Sequence, residues 1–384
     1  MIKYSFKIFA FAFVLCLCMG SSAHAIAVDS KASLLMETET GKVLHENNGH
    51  TKLSPASVTK VMTMLLIYEA IEQERIAWDD IVTVSAHAAS MGGSQIFLEV
   101  NEQQTVRDLT KSIVIASAND AAVAMAEFVS GSEDAFVTAM NNKAAAIGME
   151  NTTFKNASGL DAAGHTTTAY DIALMSRELI LKHPGVFQYA KTRLDTITHK
   201  TARGEEEFGL TNTNKLIRNY SGATGLKTGS TSEALYCISA TAEKEGMQLI
   251  AVILAAPDPT TRFDSAMKLL DYGYANYALI AKEEAGTQMG EIQIYKGKTE
   301  SAPVVIKEQT NMLAPKGKHV TLESEVIVHE ALDAPIQAGQ TAGEVIYTWE
   351  GEEVGRSELV VAEPIDRASV GDMMDRLFRR WFFG

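Results

Sequence analysis

Three short motifs follow one another along this chain: Ser57-Val58-Thr59-Lys60, Ser117-Ala118-Asn119 and Lys227-Thr228-Gly229. They supply a hydroxyl nucleophile with a lysine three residues on, a second hydroxyl with an amide, and a second ammonium beside a glycine. Those are parts for acyl transfer through a serine ester, with lysine in place of histidine as base. The chemistry works only if the three segments share one pocket. Any fold of this chain must therefore bring residues near 57, 117 and 227 together.

The local pattern around each motif fits that use. Ser54-Pro55 reads as the start of a helix, with Ser54 as cap and Pro55 at the first helical position. Ser57 and Lys60 then lie one turn apart on a shared face. Ser57 falls in the first turn, where unpaired N–H groups and the helix dipole favour negative charge on its oxygen. Val58, Val61 and Met62 flank Lys60, and removal from water favours its neutral, basic form; a second cation such as Lys227 pushes the same way. Ser-x-x-Lys alone is a weak signal. Ser265-Ala266-Met267-Lys268 matches it inside an ordinary amphipathic helix and reads as a solvated pair. Ser117-Ala118-Asn119 on its own reads as a helix cap. With the other motifs, Ser117 becomes a proton relay and Asn119 a holder of the substrate amide. Gly229 lets a substrate backbone approach the strand edge. The N–H groups of Ser57 and Ser230 are the expected oxyanion donors, and Lys227 and Thr228 the expected carboxylate ligands.

Bulk properties narrow the setting. Lys3, Lys7, the apolar run Ile8 to Met19 and Ala23-His24-Ala25 read as an export signal over residues 1–25. Cys16 and Cys18 fall inside it, so Cys237 alone remains and the mature chain forms no internal disulfide. Cys237 sits in an apolar run and reads as buried packing. The formal charge is −14, which argues against a nucleic-acid partner. No His-x-x-x-His or paired Cys/His spacing calls for a metal, and no cofactor is implied.

Strand patterns at Lys31 to Glu37 and Lys42 to Asn47, joined by Glu39-Thr40-Gly41, return at Ala223 to Thr231, Ala234 to Ala242 and Gln248 to Ala256, followed by a helix over Pro259 to Tyr277. Between them, roughly Asp79 to His183 is mostly helical. This predicts an α+β domain over residues 26–280, a mostly antiparallel sheet with a helical insert. From about Glu291, short alternating segments punctuated by Gly and Pro predict a small all-β domain, a β-sandwich over 288–363. Val370, Met373, Met374, Leu377, Phe378 and Trp381 then recur at helical spacing among Arg367, Arg376, Arg379 and Arg380. That pattern predicts an amphipathic helix over 366–384 that lies on a membrane surface.

The motifs sit within longer blocks: Pro55-Ala56-Ser57-Val58-Thr59-Lys60-Val61-Met62-Thr63, Ser117-Ala118-Asn119-Asp120-Ala121-Ala122, Phe154-Lys155-Asn156-Ala157-Ser158-Gly159-Leu160, Gly164-His165-Thr166-Thr167-Thr168-Ala169 and Gly225-Leu226-Lys227-Thr228-Gly229-Ser230-Thr231. In these the chain resembles the D-alanyl-D-alanine carboxypeptidases among the low-molecular-mass penicillin-binding proteins, over essentially its whole length. The resemblance implies a β-lactamase/transpeptidase-like catalytic domain and an exported enzyme peripheral to the outer face of the cytoplasmic membrane. Such an enzyme removes the terminal D-alanine from the D-Ala-D-Ala end of peptidoglycan stem peptides and is acylated by β-lactams. It implies Ser57 as acylated nucleophile, Lys60 as base, Ser117 as the third catalytic group, and Asn119, Lys227, Thr228, Gly229 and Ser230 as substrate contacts. Some relatives carry an arginine where this chain has Thr213, which places more of the carboxylate recognition on Lys227, Thr228 and Ser230. His165 reads as a loop histidine with a structural hydrogen bond. A serine β-lactamase shares the motif order, but the β domain and terminal helix argue against one. A catalytically silent β-lactam sensor is disfavoured by the presence of Ser57, Lys60, Asn119 and Lys227.

Overall fold

The computed structural model describes residues 26–201, 204–281, 283–309, 311–317 and 321–382. The expected export signal, with Cys16, Cys18 and Ala23-His24-Ala25, lies outside the described residues.

Five antiparallel strands form the central sheet: β1 (Ala32–Glu37), β2 (Val43–Asn47), β3 (Ala223–Thr231), β4 (Leu235–Lys244) and β5 (Met247–Ala256), in the order β2-β1-β5-β4-β3. The first two and last three strands are far apart in sequence, and β1 joins them by pairing with β5. Alternate residues of the middle strands feed two different cores. Leu34, Met36, Ile250, Val252 and Leu254 enter the core with the helical insert. Leu35, Leu249, Ala251 and Ile253 face the opposite way. A sheet covered on both faces needs apolar side chains at both phases of the pleat, which is why β5 reads as one long apolar run. The β1–β2 turn closes on a buried carboxylate: Glu39 N, Thr40 N and Thr40 Oγ1 all donate to Glu37.

The insert contains α1 (Lys60–Glu72), α2 (Val106–Ile115), α3 (Asn119–Ser130), α4 (Glu133–Ala146) and α5 (Ala169–Lys182). Helix α1 is buried almost all round, including Lys60 and Thr63, the pattern of a helix wrapped by its neighbours. Thr105, Ser132 and Thr168 cap α2, α4 and α5 through their side chains. On the far face, α6 (Pro259–Asn276) starts with Asp258 accepting from Thr260 N and Thr261 N. A side chain at Gly273 would sit 2.5 Å from Leu249 and 3.0 Å from Leu35, so this glycine sets how closely α6 lies on the sheet. Ser265 of the second Ser-x-x-Lys match is buried on α6 rather than solvated, while Lys268 is exposed.

Two local expectations change. The segment before α1 does not begin with a Ser54 cap. Pro55 precedes a short 3-10 turn, Ala56–Thr59, with no side-chain cap, and α1 proper starts at Lys60. A hairpin at Leu194–Thr201 and Gly204–Thr211 follows the helical region. Its strands are half polar and exposed, so the sequence carries little period-2 apolar signal there.

The C-terminal part contains β6 (Gln288–Tyr295), β7 (Ser301–Ile306), β8 (Glu323–Val328), β9 (Ala331–Asp333), β10 (Thr341–Trp349) and β11 (Glu352–Val361). They form a six-stranded sheet in the order β8-β10-β11-β7-β6-β9, and a further strand, Asn311–Pro315, pairs with Tyr277–Ala281 and adds Met312 to the same core, where the sequence suggested a β-sandwich. The sheet curls: a Cβ on Gly290 of β6 would lie 3.7 Å from Val328 of β8. Curling lets one sheet enclose a core of Ile292, Ile294, Val304, Val345, Tyr347 and Leu359. Leu322 lies in no strand. The last element is α7 (Val370–Phe382), whose Ser369 exchanges hydrogen bonds with Asp372 at its start.

Phe136 is fully buried in the helical core. Phe136→Ala should lower unfolding free energy by about 3–5 kcal/mol in urea titrations, and a loss under 1 kcal/mol would contradict the packing described.

Candidate active site

The pocket is built where α1, α3 and the free edge of β3 converge. Its first component is strained backbone. Ala56 adopts φ 48° and Ser117 φ 62°, left-handed values that non-glycine residues rarely take. The first sets the turn that presents Ser57. The second turns the chain between α2 and α3 so that Ser117 and Asn119 both enter the pocket. The cap reading of that motif fails: α3 has no side-chain cap bond, because both polar side chains are engaged elsewhere.

Lys60 is fully buried. Its Nζ lies 3.0 Å from Ser57 Oγ, 2.6 Å from Asn119 Oδ1 and 2.6 Å from the Ser158 carbonyl. Asn119 Nδ2 donates to the Gly92 carbonyl at 2.7 Å, which fixes the amide with its oxygen toward Lys60. Burial holds the Lys60 pKa well below its ordinary value, and the charge of Lys227 adds to the effect. A neutral amine in this cradle gives its two N–H groups to Asn119 and Ser158. Its lone pair is then left facing Ser57 Oγ.

Lys227 is also fully buried on β3. It donates to Ser117 Oγ at 2.7 Å and to the Thr228 carbonyl at 3.1 Å. Burial first, then Arg262, lowers its pKa to about 7. Thr228 Oγ1 lies 2.7 Å from Thr213 Oγ1, so Thr213 orients the Thr228 hydroxyl. Ser230 is exposed at the edge of β3. Gly229 also packs against the nearby turn. A Cβ there would lie 2.9 Å from Ser57 N and Pro55 O and 3.0 Å from Val58 N. The glycine thus lets β3 press against the turn that carries Ser57.

Several supporting residues lie outside the three short motifs. Gly159 (φ 84°) presses on the other side of the turn, where a Cβ would lie 2.0 Å from the Ala56 carbonyl. Arg262 on α6 is buried behind β3 and donates to the Gly229 carbonyl at 3.1 Å. Asp120 is buried, accepts from Ile96 N, Leu98 N and Ala121 N, and so pins the loop whose Ser94 carbonyl receives Asn119 N. That loop, including Gly92 and Gly93, borders the pocket. Contacts so remote in sequence follow from the fold and from no spacing rule. Cys237 is buried, and burial raises its thiol pKa to about 11. His165 stands behind the site. Lys155 N donates to its Nδ1, so its Nε2–H faces Thr59 Oγ1 at 2.8 Å. Among the described residues no group of three or more His, Cys, Asp or Glu could hold a metal ion.

Comparison with known proteins places this arrangement among relatives. The pattern of the D-alanyl-D-alanine carboxypeptidase family matches residues 19–258, and that of the penicillin-binding protein 5 C-terminal domain matches residues 280–367. The chain is 40% identical to D-alanyl-D-alanine carboxypeptidase DacF of Bacillus subtilis, over 94% of this chain and 92% of the relative. It is 32% identical to DacC of Escherichia coli, over 94% and 91%. Penicillin-binding protein 5 from Haemophilus influenzae superposes with a TM-score of 0.75 at 29% identity, covering 89% of this chain and 99% of that one. A peptidoglycan synthesis regulatory factor from Streptococcus pneumoniae gives 0.77 at 27%, covering 89% and 100%.

Burial lowers the His165 pKa from 6.5 to about 4, so the folded state prefers the neutral ring. Its stabilising contribution is whole above pH 6.5 and drains away as pH falls toward 4. Between pH 7 and pH 4 the native protein should lose about 3 kcal/mol more than His165→Gln, measured by urea unfolding at each pH. Parallel profiles would rule out a buried neutral imidazole.

Proposed function

The chain belongs to the D-alanyl-D-alanine carboxypeptidase family, and on that premise we propose that it releases the terminal D-alanine of peptidoglycan stem peptides through an ester on Ser57. The observation that carries this reading is the cradle around Lys60: full burial, two acceptors for its N–H groups, and Ser57 Oγ at 3.0 Å. Ser57 attacks the carbonyl between the last two residues while Lys60 takes its proton. The N–H groups of Ser57 and Ser230 hold the oxyanion. Ser117, polarised by Lys227 at 2.7 Å, returns a proton to the departing amine. Lys227, Thr228 and Ser230 hold the terminal carboxylate, with Asn119 on the substrate amide. Water then hydrolyses the ester. The open edge of β3, which among the described residues pairs with β4 alone, suits a substrate laid alongside as an extra strand. A β-lactam follows the same path as far as the ester, which makes it an inhibitor.

Mass spectrometry of the benzylpenicillin adduct with peptide mapping should place the acyl group on Ser57. Lys60→Ala should slow acylation by about 10²- to 10⁴-fold. An adduct elsewhere, or an unslowed Lys60→Ala, would overturn the assignment.

The setting we propose is the outer face of the cytoplasmic membrane, reached by export and held by α7. Val370, Met374, Leu377, Phe378, Trp381 and Phe382 of this helix are all more than half exposed, a poor arrangement for water and a good one for an interface. Arg376 reaches back to the Gly297 and Lys298 carbonyls, so the polar side of α7 rests on the β domain while the apolar side stays open. No helix among the described residues is long and apolar enough to cross a membrane. Removing residues 365–384 should move the protein from sedimented vesicles to the supernatant, and unchanged co-sedimentation would refute the anchor.

A further inference from the structure

The two oxygens that accept from Lys60 sit on segments far apart in the chain. Asn119 Oδ1 is aimed by the bond from Asn119 Nδ2 to the Gly92 carbonyl. The Ser158 carbonyl belongs to the turn that follows Phe154. An amine nitrogen is close to tetrahedral, so fixing two of its N–H groups fixes the direction of its lone pair. A shift of either acceptor swings that lone pair away from Ser57 Oγ.

A single carboxylate outside the pocket ties the two segments together. Glu133 stands in the first turn of α4, beside the Ser132 cap. Its Oε1 accepts from Ala157 N at 2.9 Å, one residue before Ser158. Its Oε2 accepts from His87 Nε2 at 2.8 Å. His87 lies in the short helical turn Ala86–Ala89, which Ser85 caps. The backbone runs on through Met91, whose N–H bonds the Ala88 carbonyl at 3.2 Å, to Gly92. One Glu133 oxygen thus holds the Ser158 arm of the Lys60 cradle, and the other holds the Asn119 arm.

The carboxylate is itself held firmly. Phe136 and Met140 bury one side of α4 in the helical core. Two turns along the same helix, Asn141 accepts from Phe154 N at 2.9 Å and donates to the Phe154 carbonyl at 3.0 Å. Helix α4 therefore grips the segment at Phe154 and again at Ala157. Favourable charge at the helix start does not explain Glu133, because Asp134 already places a carboxylate in that turn. What Glu133 adds is reach to both loops.

We propose that Glu133 is a positioning residue, which aligns Lys60 for proton transfer from Ser57 by holding both of its acceptors in register. The inference rests on Lys60 acting as the base for Ser57.

The test is pre-steady-state acylation of the full chain by benzylpenicillin, resolved into the rate at saturation and the concentration that gives half that rate. Thermal melting of each variant is followed alongside. Glu133→Ala should lower the saturating rate about 10- to 100-fold, the scale of loss when a reacting group is displaced by about 1 Å, with the half-saturating concentration unchanged within about twofold. Glu133→Gln keeps an acceptor for Ala157 N and offers an amide donor to a neutral His87 ring, and should recover the rate to within about threefold of the native protein. His87→Ala, at an exposed position, releases the Asn119 arm alone and should give a smaller loss. Combined with Glu133→Ala it should slow acylation no further, because both changes break one bridge. A folded Glu133→Ala protein that acylates at the native rate overturns the proposal. So does a Glu133→Gln protein as slow as Glu133→Ala, or a loss carried by the half-saturating concentration alone. Should Glu133→Ala not fold, His87→Ala decides, and a native saturating rate there overturns the proposal. A native protein that forms no penicillin ester, or that is acylated no more slowly as Lys60→Ala, would instead remove the reading of Ser57 and Lys60, and this one with it.

Discussion

Two ammonium groups buried in one pocket are the constraint on which the rest of this molecule depends. Lys60 and Lys227 are both cut off from solvent, and each is flanked by further positive charge, Lys227 beside Lys60 and Arg262 beside Lys227. Burying an amine favours its neutral form, and a neighbouring cation favours it further. The pocket therefore shifts both amines toward the neutral form. It does so at a cost in stability, since the same burial would be cheaper with apolar side chains. That cost is offset by the surrounding fold: a covered sheet, a central helix buried all round and a helical shell.

The same economy of space governs the backbone. Gly229 and Gly159 approach the Ser57 turn from opposite sides, and neither site has room for a side chain. Ala56 and Ser117 are held in left-handed conformations at the two places where catalytic side chains enter the pocket. Strain of this kind persists only where neighbours over-determine it. Here the neighbours are β3, the Asn156–Gly159 turn and the helices. The Ser57 turn is thus clamped between strand and loop.

Function is spread over parts with different physical demands. The catalytic pocket needs rigidity and dryness, which the doubly covered sheet supplies. Among the described residues β3 forms one edge of that sheet and pairs with β4. The C-terminal β domain encloses its own core and carries α7, which Arg376 braces against it on one face while the apolar side chains of the other face stay exposed.

The sequence by itself determined the elements that repeat or punctuate: the five strands of the main sheet, the helical insert, the all-β tail, the amphipathic final helix and the three motifs. Periodicity, turn residues and motif order are local properties, so they are legible without a fold. Several features were decided only by the tertiary structure. Gly229 packs on the Ser57 turn, Ser158 gives its carbonyl to Lys60, Thr213 orients Thr228, and Arg262 sits behind β3. The curl of the six-stranded sheet and the Leu194–Thr211 hairpin belong with these. Each is a contact between segments distant along the chain, and burial, which sets the Lys60 and Lys227 proton affinities, exists only once the chain has closed around them.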